Sequence, residues 1–291
     1  MPGPPIETSL VEPYNPRVYI PKFADIASQD DESIDLATAA LVIAADEYPG
    51  LDLELYLDKL EQIASEARNT ATALTDPSDI ILAINSVLFL EYGYHGNKQS
   101  YYDPRNSYLN QVIDRRTGIP ITLSIIYMAV ADRIGFRIIG VGMPGHFLVK
   151  HAGPSGEIYI DPFNRGRLMD AAGCAKLVED ISGAKLELRP EHLSAVSKKQ
   201  ILTRMLANLV GIYSEGKDYA RATRAVDYIL MIDASQPTYV RDRGLLLAAS
   251  GRKRESIESL ERYLKRSPDA PDAPQIKERI KGMRAQLAEL N

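Results

Sequence analysis

Two residues of this sequence, His146 and Asp161, have the types and the order suited to proton transfer. A His can take a proton from a nucleophile, and an Asp that contacts its second ring nitrogen fixes the tautomer. Both follow residues 117–135, TGIPITLSIIYMAVADRIG, whose apolar spacing predicts one helix. Enzymes with a thiol nucleophile place it in the first turn of such a helix, because free N–H groups and the helix dipole stabilise the thiolate. The order of helix, His and Asp is therefore typical of a cysteine hydrolase or acyl transferase.

The nucleophile that this order requires is absent. Pro120 stands where a cysteine is expected, fifteen residues before Gly135, and proline suits the first turn of a helix but has no reactive group. Ser124, Thr122 and the single cysteine, Cys174, are the alternatives. A Ser inside a helix more often bonds to the carbonyl four residues back, and a lone Cys among small residues is more often a buried apolar side chain. The sequence therefore predicts a catalytic scaffold without its usual nucleophile.

Three strand patterns follow the predicted helix, and their register decides whether His146 and Asp161 can meet. The strands are FRIIGVGM, HFLVKH and EIYIDPF, and AGPSG joins the last two. In an antiparallel pair, the residue numbers of opposite partners have a constant sum. A turn at residues 154–155 with Gly153 opposite Gly156 sets this sum to 309. Because the sum is odd, His146 and Asp161 lie on the same face of the sheet. The two are then diagonal neighbours whose side chains can touch. The spacing alone leaves open that each residue simply caps a strand end.

Composition and charge exclude several classes of function. The chain has 291 residues, 45% of them hydrophobic and 25% charged, which is typical of a folded protein long enough for two domains. A net charge of −5, with basic residues spread among acidic ones, does not predict a nucleic-acid partner. No run of about 18–20 apolar residues predicts a membrane span, and the N-terminus does not resemble a secretory signal. With one cysteine, we expect a cytoplasmic protein.

No metal and no cofactor are predicted, because no pair of histidines has metal-ligand spacing and no glycine pattern for phosphate occurs.

The periodicities divide the chain into three regions and predict an α+β fold. Residues 1–27 form a proline-rich arm, which we expect to be extended because six prolines occur in the first 21 residues. Residues 28–192 begin with three helices, starting from Ser28, near Leu53 and at Asp76 or Ser78, and continue with the helix and antiparallel sheet described above. Residues 193–291 are all α-helical and form a repeat tail.

The tail has the spacing of tetratricopeptide repeats. Gly244 is followed seven residues later by Gly251 and seventeen residues after that by Pro268, and a weaker copy has Leu209 and Gly216 in the corresponding positions. Two repeats are about the smallest number that can bury the apolar faces between them. We therefore expect the repeats to pack on the preceding domain as well. Such repeats bind peptides, and four arginines could meet a carboxylate: Arg221, Arg224, Arg241 and Arg243. Pairing with i,i+4 partners along a solvated helix face is the alternative for each of them.

The segments RRTGIPITLSIIYMAVADRIGFRIIGVGMPGHFLVKH and IYIDPFNRGRLM, followed by repeat-like helices, resemble the SirB-type family of bacterial proteins. Members of this family join a transglutaminase-like domain to a short repeat tail, and a related domain occurs in a eukaryotic F-box protein. The resemblance covers roughly residues 34–291 and implies a papain-like helix-plus-sheet core. The wider superfamily uses a Cys-His-Asp triad for acyl transfer or amide hydrolysis. Matched to that triad, His146 and Asp161 are the base and the orienting residue, and the cysteine falls at Pro120, a departure that SirB-type members share.

Three functions remain open on the sequence. The favoured one is a non-catalytic binding module in which the tail holds an unknown protein or peptide and a remnant cleft is lined by His146, Asp161, Asn106, Ser107, Asn110, Pro120 and Ser124. The second is a hydrolase or acyl transferase that uses His146 and Asp161 with a non-standard nucleophile. The third is a structural scaffold whose cleft is filled by Tyr101 and Tyr102 or by the N-terminal arm.

Overall fold

The computed structural model describes residues 19–154, 156–183 and 189–289. The helices in this part of the chain are α1 (Tyr19–Ser28), α2 (Leu36–Glu47), α3 (Leu53–Thr70), α4 (Pro77–Asn85), α5 (Leu109–Arg115), α6 (Pro120–Arg133), α7 (Ala171–Ser182), α8 (Lys198–Glu215), α9 (Tyr219–Ile232), α10 (Pro237–Ala249), α11 (Lys253–Arg266) and α12 (Ala273–Ala288). The strands are β1 (His95–Gly96), β2 (Thr117–Gly118), β3 (Ile139–Met143), β4 (His146–Gly153), β5 (Gly156–Asp161) and β6 (Arg167–Met169). The α+β class is confirmed, with a small sheet and a helical tail.

Aspartates fix the starts of the three predicted N-terminal helices. The carboxylates of Asp35, Asp52 and Asp76 each accept a backbone N–H from the first turn of α2, α3 and α4. This capping pairs donors that have no partner inside the helix. The first of these helices begins at Leu36, later than the predicted start at Ser28, because a short 3₁₀ turn at Asp31–Ser33 precedes it.

The prediction of an extended arm through residue 27 is wrong for its last nine residues. Helix α1 begins at Tyr19, and the ring of Phe23 is fully buried edge-on against Tyr228, with ring centroids 4.8 Å apart. Pro21 lies in the first turn of α1, where its missing N–H costs no helical hydrogen bond. Residues 1–18 of the predicted arm lie outside the described residues.

The larger sheet is antiparallel, in the order β3-β4-β5-β6. Strands β4 and β5 pair Val149 with Ile160, so partner numbers sum to 309 as the turn predicted. One face of the sheet packs on α6 through Phe147, Val149 and Ile160. The other face belongs to a separate apolar cluster that includes Leu148, Tyr159 and, from α7, Cys174. The patterns did not predict β6 or α7.

The repeat tail packs on the preceding domain, as predicted. Ile201, Leu202, Met205 and Leu206 of α8 are buried in the main core. The outer helices have a small core of their own, built on Val240, Leu260 and Ile276. Helix α9 adds Ala222, Val226 and Ile229 to the main core, so the first two helices of the tail attach it to the preceding domain.

Polar contacts also fasten the tail. The carboxylate of Asp31 accepts the backbone N–H groups of Lys198 and Lys199, at 2.9 Å each, and so caps α8. The ammonium of Lys198 donates to the carbonyl oxygens of Glu32 and Ile34, at 2.8 Å each. No helix in the described part of the chain has the length and apolar character needed to cross a membrane.

Candidate functional site

His146 and Asp161 meet as the register requires. His146 begins β4, Asp161 ends β5, and Nε2 of the imidazole lies 3.0 Å from Oδ1 of the carboxylate. Both side chains are buried, with 5% and 0% of their surface exposed. The contact is within ion-pair distance, but Nε2 makes no hydrogen bond of straight geometry. Because Asp161 lies beside Nε2, Nδ1 is the ring nitrogen left for any further partner.

Asp161 also holds the turn that follows it. Its Oδ1 accepts the backbone N–H groups of Phe163 and Asn164 at 3.1 and 3.2 Å, and its Oδ2 accepts the side-chain amide of Asn164 at 2.7 Å. Burial by itself raises the pKa of Asp161, but the contact with His146 and the bonds from Asn164 outweigh it and hold this pKa below its usual value. The turn and the pairing with His146, which the spacing left as alternatives, therefore use the same carboxylate.

The ring of Phe163 lies beside the imidazole, and the ring of Tyr101 lies behind Phe163. The Phe163 ring is edge-on to His146 with centroids 5.9 Å apart, and Tyr101 is edge-on to Phe163 at 6.1 Å. Phe163 can lie there because residue 96 is glycine: a Cβ on Gly96 would come within 2.4 Å of the ring. Tyr102, by contrast, is exposed. The imidazole is thus shielded from solvent on the side of Phe163.

The first turn of α6 is fixed by a buried polar knot. The hydroxyl of Thr122 donates to the carbonyl oxygen of Asn106 at 2.7 Å and accepts the backbone N–H of Ile119 at 3.2 Å. The side-chain amide of Asn106 donates to the carbonyl oxygens of Ser100 and Tyr101. Asn106 and Thr122 therefore hold the loop before α5 against the start of α6, where Pro120 is buried in the first helical position.

The predicted lining residues of a cleft lie in the interior. Asn106, Ser107, Asn110, Pro120 and Ser124 are all buried. Unlike Asn106, three of them have a side-chain oxygen without a hydrogen-bond partner among the described residues: Ser107 Oγ, Asn110 Oδ1 and Ser124 Oγ. The expected bond from Ser124 to the carbonyl four residues back is therefore not formed. No hydroxyl or thiol of the described residues makes a hydrogen bond with His146.

Cys174 is a neutral, buried thiol. It lies in the apolar cluster between the sheet and α7. Burial, followed by the nearby charges of Asp170 and Asp161, raises its pKa to about 11. The thiolate is therefore scarce at neutral pH, and a thiolate is what nucleophilic attack needs.

The four arginines proposed to meet a carboxylate all have carboxylate partners within the chain. Their closest ion pairs are Arg221 with Glu47 at 2.7 Å, Arg224 with Asp46 at 3.1 Å, Arg241 with Asp242 at 2.8 Å and Arg243 with Asp227 at 2.6 Å. The first two pairs join α9 to the end of α2, so they attach the tail to the preceding domain. None of the four pairs has the i,i+4 spacing of the alternative.

A sequence profile described as the transglutaminase-like superfamily matches residues 54–207, more than half of the 291 residues. The chain belongs to the transglutaminase-like superfamily. A tetratricopeptide-repeat profile matches residues 209–281, so the transglutaminase-like domain is followed by repeats. The resemblance predicted from the sequence is thereby confirmed.

Several proteins are similar to this chain in sequence. The UPF0162 protein of Xylella fastidiosa strain Temecula1 is 36% identical over 264 residues, which cover 90% of this chain and 94% of the relative. The UPF0162 protein of Vibrio cholerae is 26% identical over 261 residues, covering 89% and 96%. F-box only protein 21 of Mus musculus is 35% identical over 143 residues, covering 46% of this chain and 22% of the mouse protein.

Sequence reasoning missed Phe163 and Arg204 as neighbours of His146. Phe163 belongs to the motif IDPFN, so its place after Asp161 was a usable signal. Arg204 lies on α8, and its Nη2 donates to the carbonyl oxygens of His146 at 2.7 Å and Met143 at 2.9 Å. No motif marks Arg204, because its role comes from the packing of α8 on the transglutaminase-like domain.

Proposed function

We propose that this protein is a non-catalytic protein-binding or regulatory module, in which a transglutaminase-like domain without its nucleophile supports a peptide-binding repeat tail. The observation that carries the proposal is the start of α6, where Pro120 occupies the first helical position. Proline supplies neither a nucleophile nor a backbone N–H for an oxyanion. A cytoplasmic location belongs to the same proposal.

The retained pair of His146 and Asp161 has a structural reason to persist. Asp161 is fully buried and accepts three hydrogen bonds from its own turn, and His146 lies within ion-pair distance. A buried carboxylate is stable in the interior only while polar partners surround it, so removal of the imidazole takes one of the partners of Asp161 away. The pair therefore serves the fold of the domain after the nucleophile is lost.

The tail supplies the binding surface in this proposal. Tetratricopeptide repeats are a scaffold for protein–protein contacts. Since α8 and the apolar face of α9 are buried in the main core, a partner has access to the outer helices α10 to α12 and to the face of α9 that lies toward α10. The partner is a protein or peptide.

A hydrolase or acyl transferase with a non-standard nucleophile is the second candidate, and one observation favours it. Ser124 lies one turn after Pro120, and its buried hydroxyl has no hydrogen-bond partner among the described residues. Buried polar atoms without a partner are uncommon and are found at sites of function as well as beside ordered water. In this candidate His146 acts as the general base.

Replacement of His146 separates the two candidates. The full chain and its His146→Ala variant are compared for partner capture by chemical cross-linking with mass spectrometry and for hydrolysis of acyl and amide substrates. The binding proposal expects the same captured partners for both proteins and turnover by neither. The binding proposal is contradicted if the natural protein turns over a substrate and His146→Ala abolishes that turnover. The milder His146→Gln replaces His146→Ala if thermal unfolding shows that the alanine variant is not folded.

A further inference from the structure

The tail contains a charged cavity that shares no residue with the site around His146. It has a volume of about 550 Å³ and lies between α9, α10 and α11. Its apolar part includes Leu230 and Met231, and its charged lining consists of Arg224, Arg243, Arg262, Asp227 and Glu258. We call it the arginine cavity. A volume of this size can accept one or two side chains of a bound peptide.

One guanidinium of the arginine cavity is available to a partner. Arg243 is paired with Asp227, and Arg224 is paired with Asp46. Arg262 is exposed and, among the described residues, has neither an ion pair nor a hydrogen bond. Its neighbour one turn back, Glu258, does not reach it within ion-pair distance. An unpaired Arg beside an apolar surface is suited to a carboxylate, which it can bind through two parallel hydrogen bonds.

The charge of the surrounding helices points to an acidic partner. Residues 219–266, which span α9 to α11, carry ten Lys and Arg against six Asp and Glu. Ion pairs with residues outside this segment involve three of the basic residues, Arg221, Arg224 and Arg241, and one of the acidic residues, Glu261, so seven basic side chains remain against five acidic ones. Opposite charge on a partner raises the rate of encounter and suppresses wrong partners. A phosphate backbone is a poorer match, because Asp227 and Glu258 lie in the same lining and the chain as a whole is acidic.

We propose that the arginine cavity binds an acidic segment of a partner protein, with a carboxylate on Arg262 and a neighbouring apolar side chain on Leu230 and Met231. This inference rests on the proposed function, since it assumes that the tail binds protein. The inference places the contact with the partner on the surface between α9 and α11. It assigns the central role to Arg262, which the sequence patterns did not single out.

Fluorescence anisotropy with defined probes tests the inference on the full chain. The probes are a fluorescein-labelled peptide of alternating Leu and Asp, its twin with Asn for every Asp, and a labelled single-stranded DNA oligonucleotide. The variants are Arg262→Glu and, as a matched control, Arg279→Glu, an exposed Arg on α12 outside the cavity. We expect the acidic peptide to bind more tightly than either other probe, and Arg262→Glu to weaken it at least about tenfold. Arg279→Glu leaves the affinity within about twofold.

Three results of the anisotropy assay overturn the inference, and so does one result of cross-linking. The acidic peptide fails to bind at about 1 mM, the twin or the oligonucleotide binds as tightly, or both variants weaken binding equally. Arg262→Gln replaces Arg262→Glu if thermal unfolding shows that the charge reversal disturbs the fold. If the Arg262→Glu variant captures the same cross-linked partners as the natural protein, the arginine cavity is not the binding site, but the proposed function remains. Capture of no partner by the natural protein removes the proposed function itself.

Discussion

Arg204, on the first helix of the tail, donates a hydrogen bond of 2.7 Å to the carbonyl oxygen of His146, at the start of strand β4. The same Nη2 bonds to the carbonyl oxygen of Met143, which is the pairing partner of His146 across the β3–β4 turn. The guanidinium also lies over the ring of Phe147, 5.5 Å from its centroid. The tail thus reaches the backbone of the residue that would be the base of a catalytic triad.

Replacement of Arg204 tests this link between the tail and the domain. Arg204→Met removes the Nη2 group that donates both hydrogen bonds and leaves two carbonyl oxygens without this donor, so we expect the free energy of unfolding to fall by about 2–3 kcal/mol. Arg204→Lys recovers only part of the loss, because the ammonium of Lys lacks the planar guanidinium that lies over the ring of Phe147. Urea denaturation measures both. Arg279→Met, at an exposed Arg, is the control, and equal losses from Arg204→Met and Arg279→Met contradict the role.

The carboxylate of Asp161 makes stability depend on pH. The pKa of Asp161 in the folded protein is below its usual value. The contribution of this carboxylate to the free energy of unfolding is therefore complete above the pKa that Asp161 has in the unfolded chain, and it is lost as pH falls through its pKa in the folded protein. We expect natural protein to be more stable than Asp161→Asn by a constant amount above about pH 5, and the difference to shrink below about pH 4. Chemical unfolding from pH 7 downward measures it. A difference that grows on acidification contradicts the direction of the shift.

Gly96 controls how well Phe163 covers His146. Gly96→Ala places a methyl group within 2.4 Å of the ring, so Phe163 must move. We expect a loss of about 1–3 kcal/mol in stability and faster modification of His146 by diethylpyrocarbonate, followed by peptide mass spectrometry. Gly211→Ala on α8, where a Cβ has open space, is the control. Unchanged reactivity of His146 in a destabilised Gly96→Ala variant shows that Phe163 does not shield the imidazole.

Gly244 permits the close contact between α10 and α11. A Cβ there would lie 2.6 Å from the side chain of Leu260, so we expect Gly244→Ala to lower the free energy of unfolding by about 1–3 kcal/mol. Gly282→Ala, inside α12 with open space around it, should raise this free energy by about 0.5–1 kcal/mol. Thermal unfolding of both variants decides the matter, and stabilisation by Gly244→Ala is the contrary result.

The sequence predicted the site best where a single turn fixed the geometry. Gly153 and Gly156 bracket a tight turn, and that turn set the register that brings His146 to Asp161. Helix α1 was missed because its prolines outweighed the apolar spacing of Phe23 and Ile26.

Other features depend on contacts between residues far apart in the chain. Ser107, Asn110 and Ser124 were expected to line an open cleft, because polarity in a sequence does not reveal burial under α6 and its neighbours. Arg221 and Arg224 were read as free to bind a ligand, but their partners lie on α2, at Glu47 and Asp46. Pairing over so long a separation has no local signature.

The central claim is that no side chain of this domain serves as a nucleophile for His146. Intact-protein and peptide mass spectrometry after treatment with a fluorophosphonate and, separately, with iodoacetamide at pH 7 tests it most directly, with a serine protease as positive control for the first reagent and a papain-type protease for the second. We predict no adduct on Ser124, because its hydroxyl makes no bond with the imidazole, and none on Cys174, because its thiol is buried with a pKa raised to about 11. An adduct on either residue that disappears in His146→Gln contradicts the account.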